Sequence, residues 1–173
     1  IMGVVNVTPD SFSDGGRYLS PADALQQIKQ LIDAGANIID IGAESSRPGS
    51  AYITEEEEWT RRGGQLPKLH TFGDKVKFSI DTRRSSIMCR AADFGVSYFN
   101  NIEGSTDSET LKFLSQRKLN YIAMHMHGTP MDMQKAPLDR APALVEVEKF
   151  FFQTKNKLLE HGFGAEQIFL DPG

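Results

Sequence analysis

Six short apolar runs lie along this chain, and a loop and a helix-type pattern separate each from the next. The runs cover residues 2–7, 36–42, 76–81, 96–101, 121–125 and 168–171. Strands this apolar, each separated from the next by a helix, predict a parallel sheet buried on both faces. Six alternations exceed the needs of a small flavodoxin-like sheet, and no Gly-x-Gly-x-x-Gly follows the first run. The pattern therefore predicts an α/β chain of the TIM (β/α)8 barrel type rather than a dinucleotide-binding sheet. Eight units close such a barrel, so the expectation is an N-terminal portion of about six strands, with residues 1–173 as one incomplete barrel domain.

The helices are punctuated locally. Ser20-Pro21-Ala22-Asp23 reads as an N-cap, a first-position proline and a first-turn acid, with Leu25, Ile28 and Ile32 as the apolar face and Gly35 as the stop. Thr54 and Glu57 resemble a second capping box, and Glu55 to Glu58 read as acids complementing a helix start, in a helix expected to run to about Gly73. Ile87, Ala91 and Phe94 mark a third helix closed by Gly95, and Leu111 and Leu114 a short fourth. A longer fifth is expected from Ala143 to His161, apolar at Leu144, Val147, Phe151 and Leu158, with Gly162 after it.

Composition narrows the function classes. The net charge is −4 and no basic block is present, so no electrostatic case for nucleic acid exists. No run approaches the roughly 18–20 apolar residues of a membrane span, and the single cysteine, Cys89, excludes an internal disulfide framework and fits a cytoplasmic protein. Cys89 falls within a predicted helix, where packing is the expected role.

In a parallel barrel all strand C-termini meet on one rim, so the tips Asn6, Asp81, Asn100 and Asp171 converge in space although they span most of the sequence. An acid at a buried strand end costs several kcal/mol unless it is paired or hydrogen-bonded. Carboxylates with carboxamides suit a flat heterocycle carrying N–H donors and ring acceptors. The same acids could instead cap the following helices. Ser45, Ser46 and Arg47 offer hydroxyls and a guanidinium for phosphate or carboxylate, on a loop that also reads as a solvated turn. Asp10, Ser11, Phe12 and Asp14 form a dense first loop. His125 and His127 flank Met126 and are expected on opposite faces, without a zinc site.

Several segments together resemble the dihydropteroate synthase family, in order and from end to end. They are Asn6-Val7-Thr8-Pro9-Asp10-Ser11-Phe12-Ser13-Asp14-Gly15-Gly16, Ile39-Asp40-Ile41-Gly42-Ala43-Glu44-Ser45-Ser46-Arg47-Pro48-Gly49, Ser79-Ile80-Asp81-Thr82, Met124-His125-Met126-His127-Gly128 and Leu170-Asp171-Pro172-Gly173. The resemblance implies a TIM barrel that joins 6-hydroxymethyl-7,8-dihydropterin diphosphate to 4-aminobenzoate in folate synthesis, the target of sulfonamides in that family. It implies that Asn6 contacts the Mg2+ held with the diphosphate, and that Asp81, Asn100 and Asp171 grip the pterin. It assigns Phe12 and Pro48 to the aminobenzoate pocket, and Ser46 and Arg47 to the second loop, where Ser46 replaces the usual Thr. Asp14 is the expected stabiliser of a pterin methylene cation, with Arg47 balancing its charge. Asn101 stands where the family usually carries Asp. The family's later Ser-Arg-Lys and Arg-x-His segments are expected beyond Gly173, and a homodimer through later helices. A methyltetrahydrofolate-type methyltransferase domain and a non-catalytic pterin-binding module are the alternatives.

Overall fold

Each strand hands its side chains alternately to two faces, and the parallel register keeps those faces matched across the whole sheet. The computed structural model describes residues 1–8, 20–45, 52–104, 106–128 and 140–173. Its elements run β1 (Met2–Asn6), α1 (Pro21–Asp33), β2 (Ile38–Gly42), α2 (Glu55–Arg62), β3 (Lys77–Asp81), α3 (Ser85–Ala91), β4 (Tyr98–Asn101), α4 (Ser108–Gln116), β5 (Asn120–Met124), α5 (Arg140–Glu160) and β6 (Ile168–Asp171). The six strands lie in chain order, every neighbouring pair parallel. A doubly wound sheet reverses its strand order partway; this sheet does not, which is the wall of a barrel.

One face carries the core. Val5, Ile39, Ile41, Phe78, Ile80, Phe99, Tyr121 and Ala123 are buried there against Ile28, Met88, Leu111, Leu114 and Leu158 of the helices. The other face is different. Register places Asn6, Asp40, Ser79, Asp81 and Asn100 on it, with Val4 half exposed at one edge and Phe169 at the other. The helix side is thus apolar, while the other face, also buried at mid-sheet, mixes these polar residues with Tyr98 and Ile122.

The caps fall where local chemistry puts them. Ser20 and Thr54 accept the backbone N–H groups of Asp23 and Glu57, both at 3.2 Å. Gly35 follows α1 at φ 97°, a left-handed conformation that a Cβ would strain. Asp107 caps α4, accepting Thr110 N at 2.8 Å, and the Ser85 hydroxyl bonded to it holds its carboxyl far below the usual range.

Two helix expectations fail for physical reasons. The helix after Thr54 stops at Arg62, because Gly63-Gly64 and Pro67 follow; tighter 3-10 turns over Leu66–Lys75 then bury Leu66 and Leu69 and kink at Gly73. α5 begins at Arg140 and leaves Leu144 57% exposed, since the stripe that meets the rest of the protein runs through Phe150, Thr154 and Leu158.

Candidate active site

The strand tips come together across a missing side chain. Asn6, Gly42, Asp81 and Asn100 occupy one register row over β1 to β4. A Cβ at Gly42 would lie 2.6 Å from Asn6 Oδ1 and 3.4 Å from Asp81 Oδ2, so only glycine lets both oxygens approach that gap. Asp171 stands one row further out, paired with Met124, and its Oδ1 accepts Gly173 N at 3.0 Å. Asp81 is no helix cap: α3 begins from Arg84 without a side-chain cap bond. Phe12, Asp14, Ser46, Arg47 and Pro48 lie outside the described residues.

The row sits on an acidic floor that sequence reasoning missed. Asp40, in the middle of β2 and 4% exposed, accepts Asn100 Nδ2 at 3.0 Å. Burial first, and the Asp40 carboxylate next, push Asp81 up to about 8. Asp40 Oδ1, Ser79 Oγ and Asn100 Oδ1 are buried and meet no hydrogen-bond partner among the described residues. Polar atoms held dry in this way are ready to receive a polar ligand. The available signal was an acid inside an otherwise apolar strand.

Arginines fasten the strand ends from behind. Arg62 is fully buried and donates to Ile41 O at 2.5 Å, to Asp81 O and to Glu58 Oε1 at 2.9 Å. Burial works against charge on Glu58, yet Arg62, Thr82 and Arg84 outweigh it and hold the carboxyl below the usual range. Glu44 takes Ile53 N at 2.8 Å, Arg83 Nε at 2.9 Å and Arg84 Nη2 at 3.2 Å, while Arg84 also donates to Ile53 O. Glu44 and Ile53, the described residues that flank 46–51, are thus joined through one carboxylate.

The histidines differ from expectation. Residues two apart in an extended segment share a face, and both turn to Glu146 Oε1: His125 Nε2 at 3.1 Å and His127 Nδ1 at 2.9 Å. The His127 contact, more than the His125 contact, lowers the Glu146 carboxyl. Among the described residues no group of three His, Cys, Asp or Glu side chains could hold a metal. Asn101 points to the helix side, where its Nδ2 donates to Tyr121 Oη at 2.9 Å and its Oδ1 accepts Glu103 N at 2.9 Å. An aspartate could not make the first of these bonds as a donor. Cys89 is half-buried and burial pushes its thiol up, which fits packing rather than reactivity. No helix among the described residues is long and apolar enough to cross a membrane.

Known proteins match this arrangement over its whole length. The family described as pterin binding enzyme matches residues 2–173. The dihydropteroate synthase of Escherichia coli K12 is 36% identical over 175 residues, covering 100% of this chain and 61% of that relative. A structure of the Yersinia pestis dihydropteroate synthase in a sulfonamide drug complex superposes with TM-score 0.88 at 35% identity, over 99% of this chain and 62% of that one. The Anaplasma phagocytophilum dihydropteroate synthase with bound 6-hydroxymethylpterin-monophosphate gives TM-score 0.83 at 35% identity, over 99% of this chain and 66% of that one. The chain thus spans about three fifths of the length of the curated relatives it matches. On sequence and on fold alike, the chain belongs to the pterin-binding enzyme family.

Proposed function

We propose that the protein is a dihydropteroate synthase, condensing 6-hydroxymethyl-7,8-dihydropterin diphosphate with 4-aminobenzoate to give 7,8-dihydropteroate and pyrophosphate. The observation that carries this reading is the row of Asn6, Asp81 and Asn100 across the Gly42 gap, over a buried acidic floor. A half-buried row of carboxyl and carboxamide groups suits a flat ring with several N–H groups and ring acceptors. Relatives of 36–39% identity over the whole chain bear the same activity in their names. In this reading residues 1–173 are the pterin-binding part of one barrel domain that acts in the cytoplasm as a homodimer.

Asp81, Asn100 and Asp171 would hold the pterin. Asn6 supplies a carboxamide oxygen beside the Gly42 gap, a donor suited to a hard cation such as Mg2+ that takes its other ligands from diphosphate and water. Bound there, magnesium would neutralise charge on the diphosphate leaving group. Ser46 and Arg47 would face the anionic ends of the substrates, and Phe12 and Pro48 would wall the aminobenzoate. C–O cleavage releases pyrophosphate and leaves a pterin methylene cation, which Asp14 stabilises while Arg47 balances the acid. The aniline nitrogen then forms the new C–N bond and its proton passes to solvent. No protein nucleophile is required, and positioning the amine is the main task.

The test is the reaction itself, in the intact protein with magnesium and both substrates. Dihydropteroate and pyrophosphate should appear in equal amounts. Asp14→Asn should cut turnover steeply and leave pterin affinity almost intact, the signature of an interaction made in the transition state. Pterin binding without product would instead identify a non-catalytic module.

A further inference from the structure

The floor beneath the row explains how one of its members is oriented. A carboxamide presents an acceptor on one side and a donor on the other, and the two are interchanged by a half turn of the side chain. Which one faces a ligand is settled by what the other side must bond. Asp40 is an ionisable acid whose carboxylate has acceptors only, and it lies 3.0 Å from Asn100 Nδ2. A reversed amide would set its oxygen against that carboxylate, oxygen to oxygen. Asn100 Oδ1 is consequently the atom left over, buried and without a partner among the described residues. Asp40 comes from β2 and Asn100 from β4, so β3 lies between them and the two are 60 positions apart in sequence. Nothing but the barrel face joins them.

We propose that Asp40 is a positioning residue for ligand recognition: by accepting the Asn100 Nδ2 hydrogen, it fixes Asn100 Oδ1 as an acceptor for an N–H group of the bound ring. The proposal rests on the pterin reading of the site and adds to it the reason for its polarity. It also explains an acid in the middle of an apolar strand, 4% exposed, where a charge is otherwise costly. Asp40 touches no reacting atom; it acts through Asn100.

The test is a swap of the two functional groups, read by calorimetric titration of 6-hydroxymethylpterin into the intact protein. In Asp40→Asn the residue at 40 can donate as well as accept, so Asn100 turns over in a share of molecules and loses its charge-assisted bond. Affinity should fall about fivefold or more. Asn100→Asp sets two carboxylates against each other and should fall by at least as much. The double variant Asp40→Asn/Asn100→Asp restores one donor facing one carboxylate and leaves an acceptor toward the ring. Its affinity should return to within about threefold of the wild type. Melting temperatures of all four proteins separate recognition from bracing. Recovery of melting temperature in the double variant without recovery of affinity would overturn the proposal, as would an unchanged affinity in Asp40→Asn. A wild-type protein that does not bind 6-hydroxymethylpterin removes the pterin reading itself, and that result is seen before any variant is made.

Discussion

Glu44 Oε1 accepts the backbone N–H of Ile53 at 2.8 Å, so one carboxylate closes the chain between the end of β2 and the start of α2. Arg84 reaches the same oxygen at 3.2 Å and Arg83 the other at 2.9 Å, and both arginines follow β3 directly. Glu44 and Ile53, on either side of residues 46–51, are therefore joined to each other and to the arginines that follow β3. Glu44→Ala should release this anchor and lower turnover about tenfold, since small misplacements of a positioning loop are costly in rate. Pterin affinity should change little, because Asp81, Asn100 and Asp171 hold their places on the strands. Steady-state kinetics with direct pterin titration separates the two; a loss of affinity in step with turnover would show that Glu44 shapes the pterin pocket itself.

Asp81 makes stability depend on pH. Burial and the Asp40 carboxylate raise it to about 8, against an ordinary value of 3.8. Between those two values the folded protein holds a proton that the unfolded chain has released, so this contribution to stability falls as pH rises and is fully lost above about 8. Asp81→Asn carries a neutral side chain of the same shape at every pH. Its melting temperature relative to the wild type should therefore climb steadily from about pH 4 to about pH 8 and then level off. Parallel melting curves across that window would mean that Asp81 is ionised in the fold.

Asp81→Ala and Asp171→Ala should each weaken pterin binding by about 2–4 kcal/mol, because each removes a carboxyl group that hydrogen-bonds the ring. Asn6→Ala should act differently. If its carboxamide works through diphosphate-bound magnesium, the variant loses affinity for the pterin diphosphate far more than for the pterin alcohol. Titration of both ligands with and without magnesium measures this. Equal losses for the two would place Asn6 in ring binding or in packing.

The sequence disclosed what is local and hid what is assembled. The Ser20 and Thr54 caps and the left-handed Gly35 follow from patterns within a few residues, and the structure has them. The tips Asn6, Asp81 and Asn100 were legible because a parallel barrel sends every strand end to one rim. Asp40 was not, since its partner Asn100 lies two strands away, on β4. His125 and His127 share a face because residues two apart in an extended chain point the same way, so the expectation of opposite faces has the period wrong. The early end of α2 was missed because four glutamates promised a long helix while two glycines downstream ended it.

Arg62 is the least legible of the residues that matter, the second of an Arg61-Arg62 pair on a helix that looks wholly solvated. In the fold its side chain is fully buried and bridges the carbonyls of Ile41 and Asp81 to the Glu58 carboxylate. It thereby fixes the ends of β2 and β3 side by side, beneath the Gly42 gap. Removing one partner of a buried pair leaves the other charge uncompensated, so Arg62→Ala should cost about 3–5 kcal/mol. Arg62→Lys should recover only part of this, because an ammonium cannot reproduce the planar fork that serves two carbonyls and a carboxylate. The double variant Arg62→Met/Glu58→Gln removes both charges while keeping the volume, and it should be more stable than Arg62→Ala. Denaturant unfolding of the three proteins gives the comparison. A double variant no more stable than Arg62→Ala would locate the stabilisation in the two strand-end carbonyls rather than in the ion pair.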